Sequence, residues 1–594
     1  MGLSRAVKDE VTRALAALAG ATALGDPERA EAAVRAASFV VERPRRAAHG
    51  DFATNAAMVL AKAVGKPPRE IAALVTAELA DGPVVASAEV AGPGFVNLRV
   101  RPSAVAGELD RLLHGPQAFA RQASATGERV DLEFVSANPT GPLTVASARN
   151  AILGDAVGRL LERAGHRVTR EYYVNDFGRQ VGVFAASVRA VSEGREVPED
   201  GYKGDYVVEL ADHLRAIHPD ALAGEPAALT RLCVALMLHG IPGSTTLPGL
   251  RRTLGALGVD FDVWFSEESL HRWGDVDRAL GRLRASGQLE EKDGAVFFVA
   301  RGDSADKDRV VRKSDGDYTY FASDIAYFAD KVSRGYDRLL VVLGADHHGY
   351  VARVANALGA LGLPRERFEA LLYQLVFVYR NGELVRSSKR AGNVVTADEI
   401  MDEIDAATGR QGAGRDALRF FFLSRAASSQ VDFDVELAKK ASLDNPVFYV
   451  QYGYARLSSI LRRAAELGFA PSTTSWHKLG EDELGIAVRV AEYPDVACEA
   501  ALLREPHRIV FWVQELAQAV QSYYTRHKDD PILPRDSMRA SPAWSASWDR
   551  DKTGARLAWV LAIRAVYAEA LSALGISAPE RLERLVGQGT EDHA

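Results

Sequence analysis

The chain has 594 residues, too many for one hydrophobic core, and at roughly 100 to 200 residues per domain it is expected to divide into about three to five domains. Hydrophobic residues make up 47% and charged residues 25%, with no low-complexity tract, which excludes a disordered or fibrous chain. Formal net charge is -7, so a nucleic-acid partner would need local basic patches, and two distant cysteines, Cys233 and Cys498, supply neither a disulfide framework nor a cysteine metal site.

The first segment, MGLSRAVKDEVTRAL, is charged and helix-like, and no stretch approaches the roughly 20 apolar residues that span a bilayer. A reducing cytoplasm is the expected location. Residues 1–108 read as an α+β domain, in which PPREIAALVTAELA has a helical pattern and AEVAGPGFVNLRV reads as strand and turn. Next come the strand VDLEFVS, the turn NPTGPL and a helix from about Val145 to Arg163. HRVTREYYVND and DRLLVVLGADHHG repeat the scheme of an apolar strand ending in a polar tip. These pieces predict an α/β, doubly wound, Rossmann-like parallel sheet over 109–380, interrupted by a mostly helical insertion at about 190–290. Residues 381–445 follow as a basic loop and connecting region. From 446 to 594 the pattern is nearly all helix, with NPVFYVQYGYARLSSILRRAAEL and HRIVFWVQELAQAVQSYYTRH amphipathic at 3.6-residue spacing, before a polar tail.

Strand, Asn138-Pro139-Thr140-Gly141-Pro142, then helix is a way to present backbone N–H groups and the positive end of a helix dipole to phosphate. Alone, the same residues also make an ordinary strand-to-helix turn. The run FVSANPTGPL resembles the first signature of class I aminoacyl-tRNA synthetases, in the form typical of arginyl-tRNA synthetases. That signature continues with two histidines and a glycine, where this chain has Thr144, Val145, Ala146 and Ser147. In the family the histidines hydrogen-bond ATP phosphates and the glycine lets adenine lie against bare backbone. Thr144 and Ser147, three apart on one helical face, can donate neutral hydrogen bonds worth about half a charge-assisted one, and Ala146 adds a methyl group. Two transition-state donors worth roughly 2.7 to 4 kcal/mol each would be a loss of orders of magnitude in rate unless compensated.

The resemblance places the mobile second signature at Arg386-Ser387-Ser388-Lys389-Arg390, with Lys389 as the lysine that neutralises pyrophosphate and Arg386 and Ser388 beside it. Read alone, RSSKR is a solvated basic turn. It implies an arginine pocket in which Glu133, Asp324 and Tyr320 face the guanidinium, Asn138 and Asp346 hold the amino-acid end, and Asn175, Asp176 and Gln180 contribute from YVNDFGRQ. On spacing alone Tyr320 and Asp324 are an ordinary exposed pair and YVNDFGRQ a polar turn. Pro139, Gly141, Thr144, Ala146, Ser147, His347, His348, Gly349 and Lys389 would surround ATP. Adjacent histidines at a strand end point different ways, so His347 and His348 are expected to line the pocket and not to bind a metal.

The resemblance continues through HGDFATNAA, GPGFVNLRV and DALRFFFLSR and spans almost the whole chain. It implies an N-terminal domain touching the outer corner of tRNA and a C-terminal helical bundle reading the anticodon. The expected function is arginine–tRNA ligation with ATP as Mg-ATP and tRNA(Arg) as partner, by a monomer without membrane attachment. Two alternatives stay open: a paralogue that binds tRNA or arginine without efficient adenylation, and an enzyme handing arginine to another acceptor. Retention of Lys389 beside a guanidinium pocket favours ligation.

Overall fold

The computed structural model describes residues 2–44, 46–80, 82–121, 127–299, 309–385, 394–539 and 547–582, without the side chains of Ala47 and His348. Its central sheet contains β1 (Arg129–Glu133), β2 (Arg167–Val174), β3 (Val263–Ser266), β4 (Arg338–Gly344) and β5 (Phe368–Tyr373), all parallel and ordered β5-β4-β1-β2-β3. β4 (RLLVVLG) is a near-continuous apolar run because helices cover both faces of the sheet, whereas β1 (RVDLE) is buried with Asp131 and Glu133 on one face. Strand order reverses between β1 and β4, and the crevice at their carboxyl ends is where an open α/β sheet receives its ligand.

The helix after β1 runs Val145–Arg163 and is buried along most of its length. Gly154 lets it approach β1: a Cβ there would lie 2.3 Å from the Phe134 ring. The helical insertion expected at about 190–290 appears as Asp205–Ile217, Pro219–Ala223 and Pro226–His239 around Tyr206, Leu210, Cys233 and Met237. It does not run unbroken to 290, because Val263–Ser266 returns to the parallel sheet as β3. Leu289–Lys292, Ala295–Phe298 and Arg309–Arg312 then make a small antiparallel sheet. Four-residue strands are too short to establish a period of two against flanking helical patterns.

The N-terminal part packs helices Leu3–Gly20, Pro27–Ala36, Ala56–Val64 and Pro68–Glu78 with a four-stranded antiparallel sheet. It docks on the helical C-terminal part, where Ser4 Oγ donates to Asp495 Oδ2 at 2.5 Å and Arg43 pairs with Glu492 at 3.0 Å. Helices Pro446–Glu466, Glu481–Leu503, His507–Arg526 and Arg550–Ala573 bury Tyr493, Tyr523, Trp559 and Tyr567 between them. Of the tyrosine stripe on the first of these, Tyr454 is buried, while Tyr449 and Tyr452 are half-buried.

Candidate active site

β1 ends at Glu133, and the chain turns through Val135 (φ 68°) and Ser136 (φ 40°), both left-handed. For a β-branched residue this is a true outlier, costing about 1–3 kcal/mol, and it persists only where the surroundings impose it. Here they do. Val135 N donates to Asn150 Oδ1 at 2.9 Å, Tyr173 N donates to Ser136 Oγ at 3.1 Å, and Asn175 Nδ2 donates to the Ser136 carbonyl at 3.1 Å. The Ala137 carbonyl accepts from Tyr172 Oη at 2.7 Å. Asn138 follows half-buried at the switch point, with Pro139 and Gly141 buried behind it.

Beside this turn several carboxyls cluster. Asp324, on helix Tyr320–Ser333, is pushed up to about 7 by burial and by Glu133, against a hydrogen bond from Tyr350 and the charge of Arg353. Glu267 starts helix Glu267–Arg272 just after β3 and is only 5% exposed. Burial, Asp324 and Asp176 push its carboxyl up to about 8, against a hydrogen bond from Tyr173. Asp176 is itself raised by burial. Its oxygens accept from Ser266 Oγ at 2.6 Å and Glu268 N at 2.8 Å, so it caps the short helix and fixes Glu267. Carboxyls that raise one another at a largely buried site favour an added cation, and a planar guanidinium with five donors supplies one.

Of the residues expected around arginine, Glu133 and Asp324 come together, and Asn175 and Asp176 hold the surrounding backbone. Tyr320 stands 69% exposed at the mouth, its hydroxyl 3.9 Å from where a Cβ on Gly178 would lie. Gln180 is exposed on the first turn of helix Arg179–Ser192. Asp346, His347 and Gly349 are exposed beyond β4, with His347 3.7 Å from Asp346. Sequence reasoning missed Glu267, Tyr173 and Tyr350; the one signal was an acidic pair directly after an apolar strand in VWFSEESLH.

On the phosphate side, Thr144 is the N-cap of helix Val145–Arg163. Its Oγ1 accepts from Ser147 N at 3.2 Å and lies 3.1 Å from Ser147 Oγ, while Ala146 is exposed. Thr144 also bridges to Thr396: Val145 N donates to the Val395 carbonyl at 3.3 Å and Ala397 N to the Leu143 carbonyl at 2.9 Å. Thr396 is a cap in turn, with a reciprocal capping box to Glu399. The helix start is thus tied to the chain just after Arg386, Ser388 and Lys389, which lie outside the described residues, as does the His348 side chain. Arg149, one turn in, is buried and donates to the carbonyls of Gln374 (2.5 Å), Ala426 (3.2 Å) and Ser429 (2.7 Å). Burial pulls its guanidinium down to about 10, still charged at neutral pH.

Residues 109–202 and 251–411 match the class I (R) tRNA synthetase catalytic-domain model, and the chain is a class I aminoacyl-tRNA synthetase. Residues 5–100 match the arginyl tRNA synthetase N-terminal domain and 450–582 the DALR anticodon binding domain. With the three models together covering most of its length, the chain belongs to the arginyl-tRNA synthetase family and is an arginine–tRNA ligase. A Campylobacter jejuni structure assigned as an arginyl-tRNA synthetase is 27% identical over 81% of this chain and 100% of its own, with TM-score 0.68. The Thermus thermophilus arginyl-tRNA synthetase structure is 23% identical over 97% and 99%, with TM-score 0.72. That from Plasmodium falciparum is 13% identical over 98% and 99%, also at 0.72. Among the described residues, no helix is long and apolar enough to cross a membrane.

Proposed function

We propose that this chain forms arginyl adenylate from arginine and Mg-ATP and passes arginine to tRNA(Arg), acting as a cytoplasmic monomer, and that its hydroxyl-bearing signature sustains the first step. The observation that carries this reading is the pocket of Glu133, Asp324 and Glu267, in which burial and mutual repulsion push the last two up to about 7 and about 8. A bound guanidinium relieves that repulsion, so the pocket favours arginine over neutral amino acids.

With the side chain anchored, the arginine carboxylate attacks the α-phosphorus of ATP and pyrophosphate leaves; a tRNA ribose hydroxyl then attacks the activated carbonyl and AMP leaves. Asn138 and Asp346 hold the amino-acid end, and the turn at Pro139 and Gly141 with the helix N-terminus faces phosphate. Thr144 and Ser147 act there, with Ala146, His347, His348 and Gly349 against the nucleotide and Lys389, flanked by Arg386 and Ser388, on the pyrophosphate. Mg2+ would arrive on the ATP phosphates. Among the described residues no group of three His, Cys, Asp or Glu side chains is placed to hold a metal ion.

Arginine-dependent ATP–pyrophosphate exchange, measured with tRNA present, is the test. Exchange is expected; intact tRNA binding with no exchange would leave the binding paralogue as the correct reading. A second measurement concerns the altered signature. Restoring histidines with Thr144→His and Ser147→His is expected to slow exchange, because it removes the Thr144 cap, a contact typically worth about 1 kcal/mol. Faster exchange in the double variant would mean that the hydroxyl pair is damage and not adaptation.

A further inference from the structure

Beneath the arginine pocket lies a cluster of charges that the ligation chemistry leaves unexplained. Lys331 is fully buried on helix Tyr320–Ser333, seven residues after Asp324, and so lies on the sheet-facing side two turns deeper. Its Nζ lies 2.6 Å from Asp131 Oδ2, 2.8 Å from Glu133 Oε2 and 3.5 Å from Glu171 Oε1. Asp131 and Glu133 are two apart on β1 and share a face. Glu171 sits directly across from Glu133 on β2. The groups around Glu133 are therefore Asp131 and Ser136 from its own strand and turn, Glu171 and Tyr173 from β2, Asp324, Tyr327 and Lys331 from the helix, and Tyr350 from helix His348–Ala360. Arg334 lies one turn beyond, paired with Glu171.

We propose that Lys331 is a positioning residue for substrate selection: from inside the protein it fixes the orientation of Glu133 and keeps the carboxylate cluster beneath arginine charged. This rests on the reading of Glu133 as an acceptor for the guanidinium. Glu133 Oε2 is held by Lys331, and its Oε1 accepts from Ser136 Oγ at 3.2 Å on the strained turn, so the carboxylate plane is set from both sides. Three carboxylates on one buried face cannot all ionise without a cation among them. With Lys331 neutralised, Arg334 still holds Glu171, and at neutral pH a shared proton enters the cluster, chiefly on Asp131, which burial already raises to about 6. The pocket above then loses negative charge, although Lys331 touches no substrate.

The test compares arginine KM, as the ratio of variant to parent, at about pH 6.5 and about pH 8.5. For Lys331→Met a ratio of roughly 10 to 100 is expected at the lower pH, shrinking several-fold at the higher pH as the shared proton leaves, with the ATP KM near parental. Lys331→Arg keeps the charge and is expected to stay near parental at both. An equal ratio at both pH values, or a Lys331→Arg variant as impaired as Lys331→Met, would overturn the proposal in favour of a packing role. If Lys331→Met does not fold, Asp131→Asn with Lys331→Met removes one repelling charge and carries the same pH comparison. If neither neutral variant folds, Lys331→Arg decides. Glu133→Gln separates the two readings: an unchanged arginine KM there removes Glu133 from the pocket, whereas a raised KM beside a pH-independent Lys331→Met ratio removes only the role of Lys331.

Discussion

Asp324→Asn is expected to raise the arginine KM by on the order of 100-fold while changing the ATP KM little, since losing one partner of a desolvated charge pair typically costs about 2–5 kcal/mol. The pH dependence distinguishes this from general damage. A cationic ligand needs the carboxyls ionised, and Asp324 and Glu267 take up protons near 7 and near 8. In the parent, arginine KM should therefore fall as pH rises through that interval. Asp324 is one of the groups raising Glu267, so in Asp324→Asn the remaining inflection should move to lower pH. An inflection that stays put would mean that the two carboxyls do not share the ligand.

The same substitution should make the ligand-free protein more stable. Asp324 has a folded value of about 7 against an ordinary carboxyl near 4, so between those values the folded state binds more protons than the unfolded state. Stability is thus lost as pH rises across that window. Asparagine has no such loss, and the gap in Tm between variant and parent should widen from about pH 5 to about pH 8. Lower stability at neutral pH accompanies substrate selection here, as it does where active sites collect like charges.

Glu133, Asn138 and Asp324 could be picked out only through the resemblance to arginyl-tRNA synthetases; on spacing alone Asp324 reads as half of an ordinary exposed pair. The β1–turn–helix unit and both flanking strands were legible from their own apolar patterns and turn residues. Glu267, Tyr173 and Tyr350 were not: they come from the helix after β3, from β2 and from the helix after β4, and only the sheet order brings them to Asp324. Lys331 reads in DKVSRG as an ordinary helix-end cation, and Arg149 and Arg419 as surface charges. Their burial follows from what packs over each helix, which periodicity does not encode. The β3 strand was lost within helical patterns, and the Val135–Ser136 strain leaves no trace in residue type.

Arg419→Met is expected to lower stability by about 3–5 kcal/mol, the usual consequence of stripping one member from a buried ion pair. Arg419 is fully buried. Its Nε donates to the Leu574 carbonyl at 2.7 Å and its Nη1 to the Leu257 carbonyl at 2.9 Å, while Nη2 pairs with Asp155. Asp155 lies on the helix capped by Thr144, and Leu574 follows the last helix of the C-terminal bundle. Arg163, two turns further along, pairs with Glu569 of the same bundle at 2.6 Å. The helix that starts at the phosphate turn is therefore clamped at its far end to the C-terminal part. Methionine fills much of the space but leaves the Asp155 carboxylate with Arg159 at 2.7 Å and the more distant Arg170 at 3.9 Å. Asp155→Asn in the same background should recover part of the loss, giving a coupling of about 1–3 kcal/mol in a double-mutant cycle of thermal unfolding. Additive losses would mean that the pair is not the clamp. ATP–pyrophosphate exchange should fall in Arg419→Met and recover with the double variant, since misplacing the Thr144 turn by about 1 Å is enough to slow chemistry on the order of 100-fold.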